Sequence, residues 1–194
     1  MFNVGDKIVY PMHGAGIIEK IEEKAILDEK QNYYIIKMPG EVKVMVPVSK
    51  AEKIGVRSII DKDTASKVIK VLEHDSTEMS LKWNKRYRDN VEKMKSGDIF
   101  EVADIVRNLT FKQKEKGLST TEKKMLLNAR QILVSELVLV GDRDKEEVEN
   151  MVNDKIETSY EAHVTSVDDG LPKVVGMEDP DHKENVVKKF IPAN

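Results

Sequence analysis

A change of hydrophobic period between about residues 53 and 63 constrains this chain more than any other feature. Before it, apolar residues come in short runs and alternations. After it, they recur three and four apart. Lys7-Ile8-Val9-Tyr10 follows the Gly5-Asp6 turn signal and is broken by Pro11 to Gly14. Ala15 to Ile21 is a second β-rich run, and Tyr33 to Met38 a third, closed by Pro39-Gly40. Val42 to Val46 alternates until Pro47 ends it. Four or five short strands in about 50 residues, joined by tight turns, predict a small SH3-like or Tudor-like barrel.

The second period is helical. Ala65, Val68, Ile69 and Leu72 share one face, and Trp83, Tyr87, Val91 and Met94 form the next stripe. Asp98, with Glu101 three residues on, and Ser119, with Glu122 three residues on, have the spacing of helix N-caps; Gly97 and Gly117 stand just before them. Ile99, Val102, Val106 and Leu109 continue one helix, and Met125, Ala129, Ile132, Leu133 and Leu137 another. A last helix is expected over about 144–160 on Val148, Val152 and Ile156. From Glu161 turn formers accumulate, and 161–194 reads as an extended acidic tail. The expectation is an α+β chain: a β module over 1–55, an all-α unit over 61–160, then the tail.

Charge divides along the same lines. Residues 1–53 hold 8 basic and 8 acidic side chains, residues 54–140 hold 17 and 13, and residues 141–194 hold 7 and 14. The net charge of −3 argues against a protein that coats DNA, and any nucleic-acid contact belongs in the middle. There is no cysteine, and the opening MFNVGDKIVY has no basic-then-apolar leader pattern, so a cytoplasmic location is expected.

No catalytic constellation is visible. His13, His74, His163 and His182 lie far apart, and Gly14-Ala15-Gly16 leads into a strand rather than the helix a phosphate loop needs. No metal, cofactor or enzymatic activity is expected. Lys82-Trp83-Asn84-Lys85-Arg86-Tyr87-Arg88 is more telling, with four cations and two aromatics in seven positions. Cations attract phosphates, and an aromatic can wedge between bases. Trp83 also fits the core of its own stripe. Lys123 and Lys124, preceded by Lys112, Lys114 and Lys116, make a second basic group that reads equally as a solvated face. Val42 to Val46 is either an edge strand open to a partner or ordinary barrel core.

Taken together, these segments resemble the CarD/CdnL family. Val4-Gly5-Asp6-Lys7-Ile8-Val9-Tyr10-Pro11-Met12-His13-Gly14 is similar to that family's opening, a module also found in the transcription-repair coupling factor. Trp83-Asn84-Lys85-Arg86-Tyr87, Gly117 to Leu126 and Ala129-Arg130-Gln131-Ile132-Leu133 resemble its C-terminal domain. The resemblance implies a bacterial transcription regulator, acting at the nucleoid, that stabilises the open promoter complex. Its Tudor-like domain would bind the β1 (protrusion) lobe of the RNA polymerase β subunit through Lys24, after the second strand, and through Val44, Met45, Val46 and Pro47. Met45 departs from the arginine common in the family. Trp83 would wedge into the minor groove at the upstream fork of the bubble without reading sequence. Lys85, Arg88, Lys123 and Lys124 would hold the backbone, with Arg86 a weaker candidate. A monomer is expected. The competing reading is a module that bridges two proteins and never touches DNA.

Overall fold

The computed structural model describes residues 1–26 and 29–168; the expected tail beyond Asp168 lies outside the described residues. Five strands, β1 (Lys7–Tyr10), β2 (Gly14–Ile26), β3 (Glu29–Lys37), β4 (Lys43–Pro47) and β5 (Arg57–Ser58), form one antiparallel sheet in the order β4-β3-β2-β1-β5. Among the described residues six α-helices accompany it: α1 (Ala51–Ile54), α2 (Lys62–Glu73), α3 (Trp83–Ser96), α4 (Ile99–Glu115), α5 (Thr120–Gly141) and α6 (Lys145–Asp168). The α+β class is as expected. The fifth strand lies beyond residue 55, so the sheet draws on two residues past the span expected for it.

The register explains why β2 does not alternate in sequence. A bulge between Ile18 and Lys20 puts Ile18 and Ile21, three apart, opposite Ile36 and Tyr34 on one face. That face closes a core of Ile8, Ile18, Tyr34, Ile36, Met38, Val46, Ala51 and Val56. Lys20, Glu22 and Lys24 point to the other face, paired with Ile35, Tyr33 and Gln31, and β4 adds Met45 and Pro47 there. β2 also runs to Ile26, so Lys24 sits inside the strand rather than after it. Beyond Ile21 the strand is charged and carries no apolar alternation that could announce it; the ladder to β3 holds it there, and Lys24 pairs along the same strand with Glu22 at 3.5 Å.

The helical core is built around α4 and α5, whose buried faces supply Val102, Ala103, Ile105, Val106, Leu109 and Phe111 and then Met125, Leu126, Ala129, Ile132, Leu133, Val134 and Leu137. α2 adds Ala65, Val68 and Leu72, and α6 adds Val148, Val152 and Ile156. α6 continues eight residues past its expected end. His163 lies on this extension, 5.7 Å from the Phe111 ring and 2.8 Å from an Asp75 carboxylate oxygen. Both contacts are distant in sequence and invisible to a periodicity argument. Asp98 caps α4 by accepting from Phe100 N at 2.9 Å, whereas Glu101, three residues on, faces Lys93 at 2.9 Å instead of closing a capping box.

α5 also docks on the sheet, and no spacing in the chain announces this seam. Ser135 Oγ accepts from Ala15 N at 2.8 Å and donates to Ile132 O, and Lys7 Nζ reaches Leu139 O at 2.7 Å. Arg57, on β5, forms a two-pronged pair with Glu136 at 2.6 and 2.9 Å and also donates to Gly97 O. Glu136 is fully buried and accepts in addition from Ile60 N at 3.0 Å. Gly14 is what lets α5 come this close. Its φ is +101°, and a Cβ there would stand 2.6 Å from Ser135 Oγ. Gly14→Ala therefore combines a left-handed backbone with a clash. It is expected to destabilise the protein by about 2 kcal/mol and to speed hydrogen exchange at the Ala15 amide, both measurable on the purified chain.

Candidate nucleic-acid and protein interface

Two surfaces carry the residues singled out by the sequence. The first is the junction of α3 and α5. Ser119 is the N-cap of α5 and forms a full capping box with Glu122. Trp83, in the first turn of α3, donates its indole N–H to Ser119 Oγ at 3.2 Å and lies against Tyr87, with ring centroids 5.9 Å apart and planes 15° from parallel. Tyr87 and Val91 pack on the helical core, but Trp83 is half-buried and outside that packed set. The stripe read from the sequence is thus real, and its first member projects past the end of the core.

Lys85 and Arg88 are exposed on α3, and Lys123 and Lys124 are exposed on the first turn of α5. At 100° per residue, Lys85 and Arg88 lie about 200° and 140° around α3 from Trp83, on the side of the helix away from the indole. Leu81 and Leu127, 71% and 69% exposed, add an unusual apolar element beside these charges.

Arg86 is not among the free cations. It is 6% exposed and contacts Glu122 through Nε and Nη2, both at 2.8 Å, while Nη1 donates to Ser80 O at 2.7 Å and Leu81 O at 3.2 Å. A helical wheel places it beside Asn90 and Met94, on the inward side, with its guanidinium committed to Glu122 and to those carbonyls. Glu122, itself 2% exposed, is the residue the site reading missed. Burial opposes its charged form, but the Ser119 N–H, the Arg86 guanidinium and the Ser119 hydroxyl outweigh that and hold its carboxyl below the usual carboxylate value. A lowered folded value means that this stabilisation is present above the unfolded-state value and is lost as pH falls through the folded one. The sequence signal for Glu122 was its capping-box spacing, which shows that it is a cap but not that it also receives an arginine.

The second surface is the outer face and free edge of the sheet. β4 is an edge strand, with β3 on one side and no strand on the other among the described residues. Val44 is partly buried and Val46 is 1% exposed; both side chains pack into the β core, so a partner could reach them only through their backbone. Met45 points outward and is 47% exposed, and Pro47 is half-buried. Lys24 shares that outer face, on the far strand of the β2-β3-β4 ribbon. Among the described residues no helix is long and apolar enough to cross a membrane.

Known proteins match along most of this architecture. Residues 2–60 match the CarD-like/TRCF RID domain, and residues 67–153 match the CarD C-terminal domain. "Putative transcription factor YdeB" of Bacillus subtilis (strain 168) is 46% identical over 148 residues, which cover 75% of this chain and 97% of that protein.

Proposed function

The chain belongs to the CarD-like family of transcription factors, and from that premise we propose that it binds RNA polymerase with its sheet and promoter DNA with the α3–α5 junction. The polymerase element is the β1 (protrusion) lobe of the β subunit, engaged along the β4 edge, by Met45 and by Lys24. The DNA element is the upstream fork of the bubble, where Trp83 wedges and Lys85, Arg88, Lys123 and Lys124 hold phosphates. The result is a longer-lived open complex. The observation that carries this reading is the position of Trp83: an aromatic held at a helix junction, outside the packed core, with free cations on both helices.

The energetics agree with a tethered role. Four phosphate contacts give a salt dependence of slope at most about −3.6, too weak to hold free DNA at physiological salt. Attachment to polymerase raises the local DNA concentration and makes the same contacts effective. The hydrogen-bonded seam between sheet and α5 suits this division of labour, because it ties the unit bearing one surface to the unit bearing the other.

The exposed Leu81 and Leu127 favour one other reading, a bridge between two proteins without DNA contact. The test is the lifetime of a competitor-challenged promoter complex with and without the protein, together with footprinting. A lengthened lifetime and altered protection at the upstream fork support the DNA reading, and an unaltered footprint favours the bridge. In the same system, Lys24→Glu is expected to weaken capture of the isolated β lobe by about tenfold, since it replaces an attraction with a repulsion at the interface. An unchanged dissociation constant removes Lys24 from that surface.

A further inference from the structure

We propose that Arg86, Glu122 and Ser119 form a directional hydrogen-bond relay whose role is to set the orientation of the Trp83 indole, which makes them positioning residues for the DNA contact. This rests on the reading of Trp83 as the wedge. The direction of each bond follows from what each group can give. Arg86 only donates, and it directs Nε and Nη2 at Glu122 Oε1. Ionised Glu122 only accepts, and its Oε2 takes both the Ser119 N–H at 3.1 Å and the Ser119 hydroxyl proton at 2.9 Å. With its proton committed, Ser119 Oγ has two lone pairs left. One accepts from Glu122 N at 3.3 Å, and the other accepts from the Trp83 indole N–H at 3.2 Å. The indole can only donate, so it meets the one remaining acceptor.

The same arginine anchors the other end of the tryptophan. Its Nη1 holds the carbonyls of Ser80 and Leu81, in the segment that enters α3. The N-cap of α3, Lys82, supplies no side-chain cap, so the first turn of α3 depends on this outside support. Trp83 is therefore gripped at its backbone through the entering segment and at its ring through Ser119, with Arg86 common to both. Two buried charges are a costly way to cap a helix, and neutral Ser-Gln would serve for that alone. The charge does more here: it makes Glu122 purely an acceptor, which leaves Ser119 free to accept from the indole.

Glu122→Gln tests the polarity with almost no change of shape. A glutamine must turn its oxygen to Arg86 and its NH₂ to Ser119. The Ser119 lone pairs are then filled by that NH₂ and by the backbone N–H of residue 122, so its proton points at the indole N–H and the bond is lost. Ser119→Ala removes the acceptor outright, and Ser119→Thr restores it. Because Trp83 is the only tryptophan, time-resolved fluorescence anisotropy of the full chain reports its local motion directly.

At a temperature where every variant is folded by circular dichroism, Glu122→Gln and Ser119→Ala should increase indole motion. They should also shorten open-complex lifetime about two- to tenfold, the span of one net hydrogen bond. Ser119→Thr should return both to wild-type values. Variants that shorten the lifetime with an unchanged anisotropy decay, or free the indole with an unchanged lifetime, overturn the positioning role. Trp83→Ala separates the two levels. If it has no effect on lifetime, the wedge reading fails; if it shortens lifetime while Ser119→Ala does not, only the relay fails.

Discussion

Glu136→Ala is expected to destabilise the protein by about 3 kcal/mol and to lower its melting temperature by roughly 6–12 °C, since about 2–4 °C is lost per kcal/mol in a chain of this size. The carboxylate is completely buried and takes both prongs of Arg57 together with the Ile60 N–H. Its removal leaves a cation and an amide without their acceptor and opens a void at the seam. The Arg57 side chain is 31% exposed and keeps its bonds to Gly97 O, so the loss falls short of that for a wholly buried pair. Replacing both partners with apolar residues, Arg57→Met with Glu136→Leu, should recover much of the stability, because neither variant residue then leaves a charge unpaired. Thermal denaturation followed by circular dichroism decides this. A Glu136→Ala protein as stable as wild type would show that the pair contributes little to the union of sheet and helices.

Trp83→Ala should show the opposite profile: a small change in melting temperature and a large loss of function. The indole is half-buried, touches Tyr87 and Ser119, and stands outside the helical core, so truncation leaves no enclosed cavity. Stacking on a base contributes about 1–3 kcal/mol, and losing it should shorten open-complex lifetime by a factor between about five and over a hundred while polymerase capture persists. The effect requires that the wedge prefer melted to closed DNA, since equal affinity for both would shift nothing. A mutant that unfolds would instead make Trp83 a core residue, and an unchanged lifetime would remove it from the DNA contact.

The two predictions fall on parts of the molecule that differed in how legible they were. The β-then-α order, the Ser119–Glu122 capping box and the apolar faces of α4 and α5 could be read directly, because they depend on residues within a few positions of one another. Arg86 counts in the sequence as one more cation of the α3 cluster and a weaker candidate for DNA, and its side chain is buried. Composition counts a charge wherever it lies, and only packing shows that this one faces inward to Glu122, 36 residues away. Lys24 was set beyond the end of its strand because a charged arm with no buried face has no period to read. The extension of α6 was missed because the residues it contacts, Phe111 and Asp75, are remote in the chain.

By itself, the sequence determined what local physics decides: which segments are strands or helices, where helices begin, and which aromatic and basic residues stand close along the chain. The tertiary structure alone decided which charges face inward. It put Arg57 on Glu136 and Arg86 on Glu122, and it brought Ser119 under the indole of Trp83. The physical reason is range. Propensity, period and capping act over one or two turns, whereas a buried charge is placed by a partner that chain folding brings to it from 36 or 79 residues away.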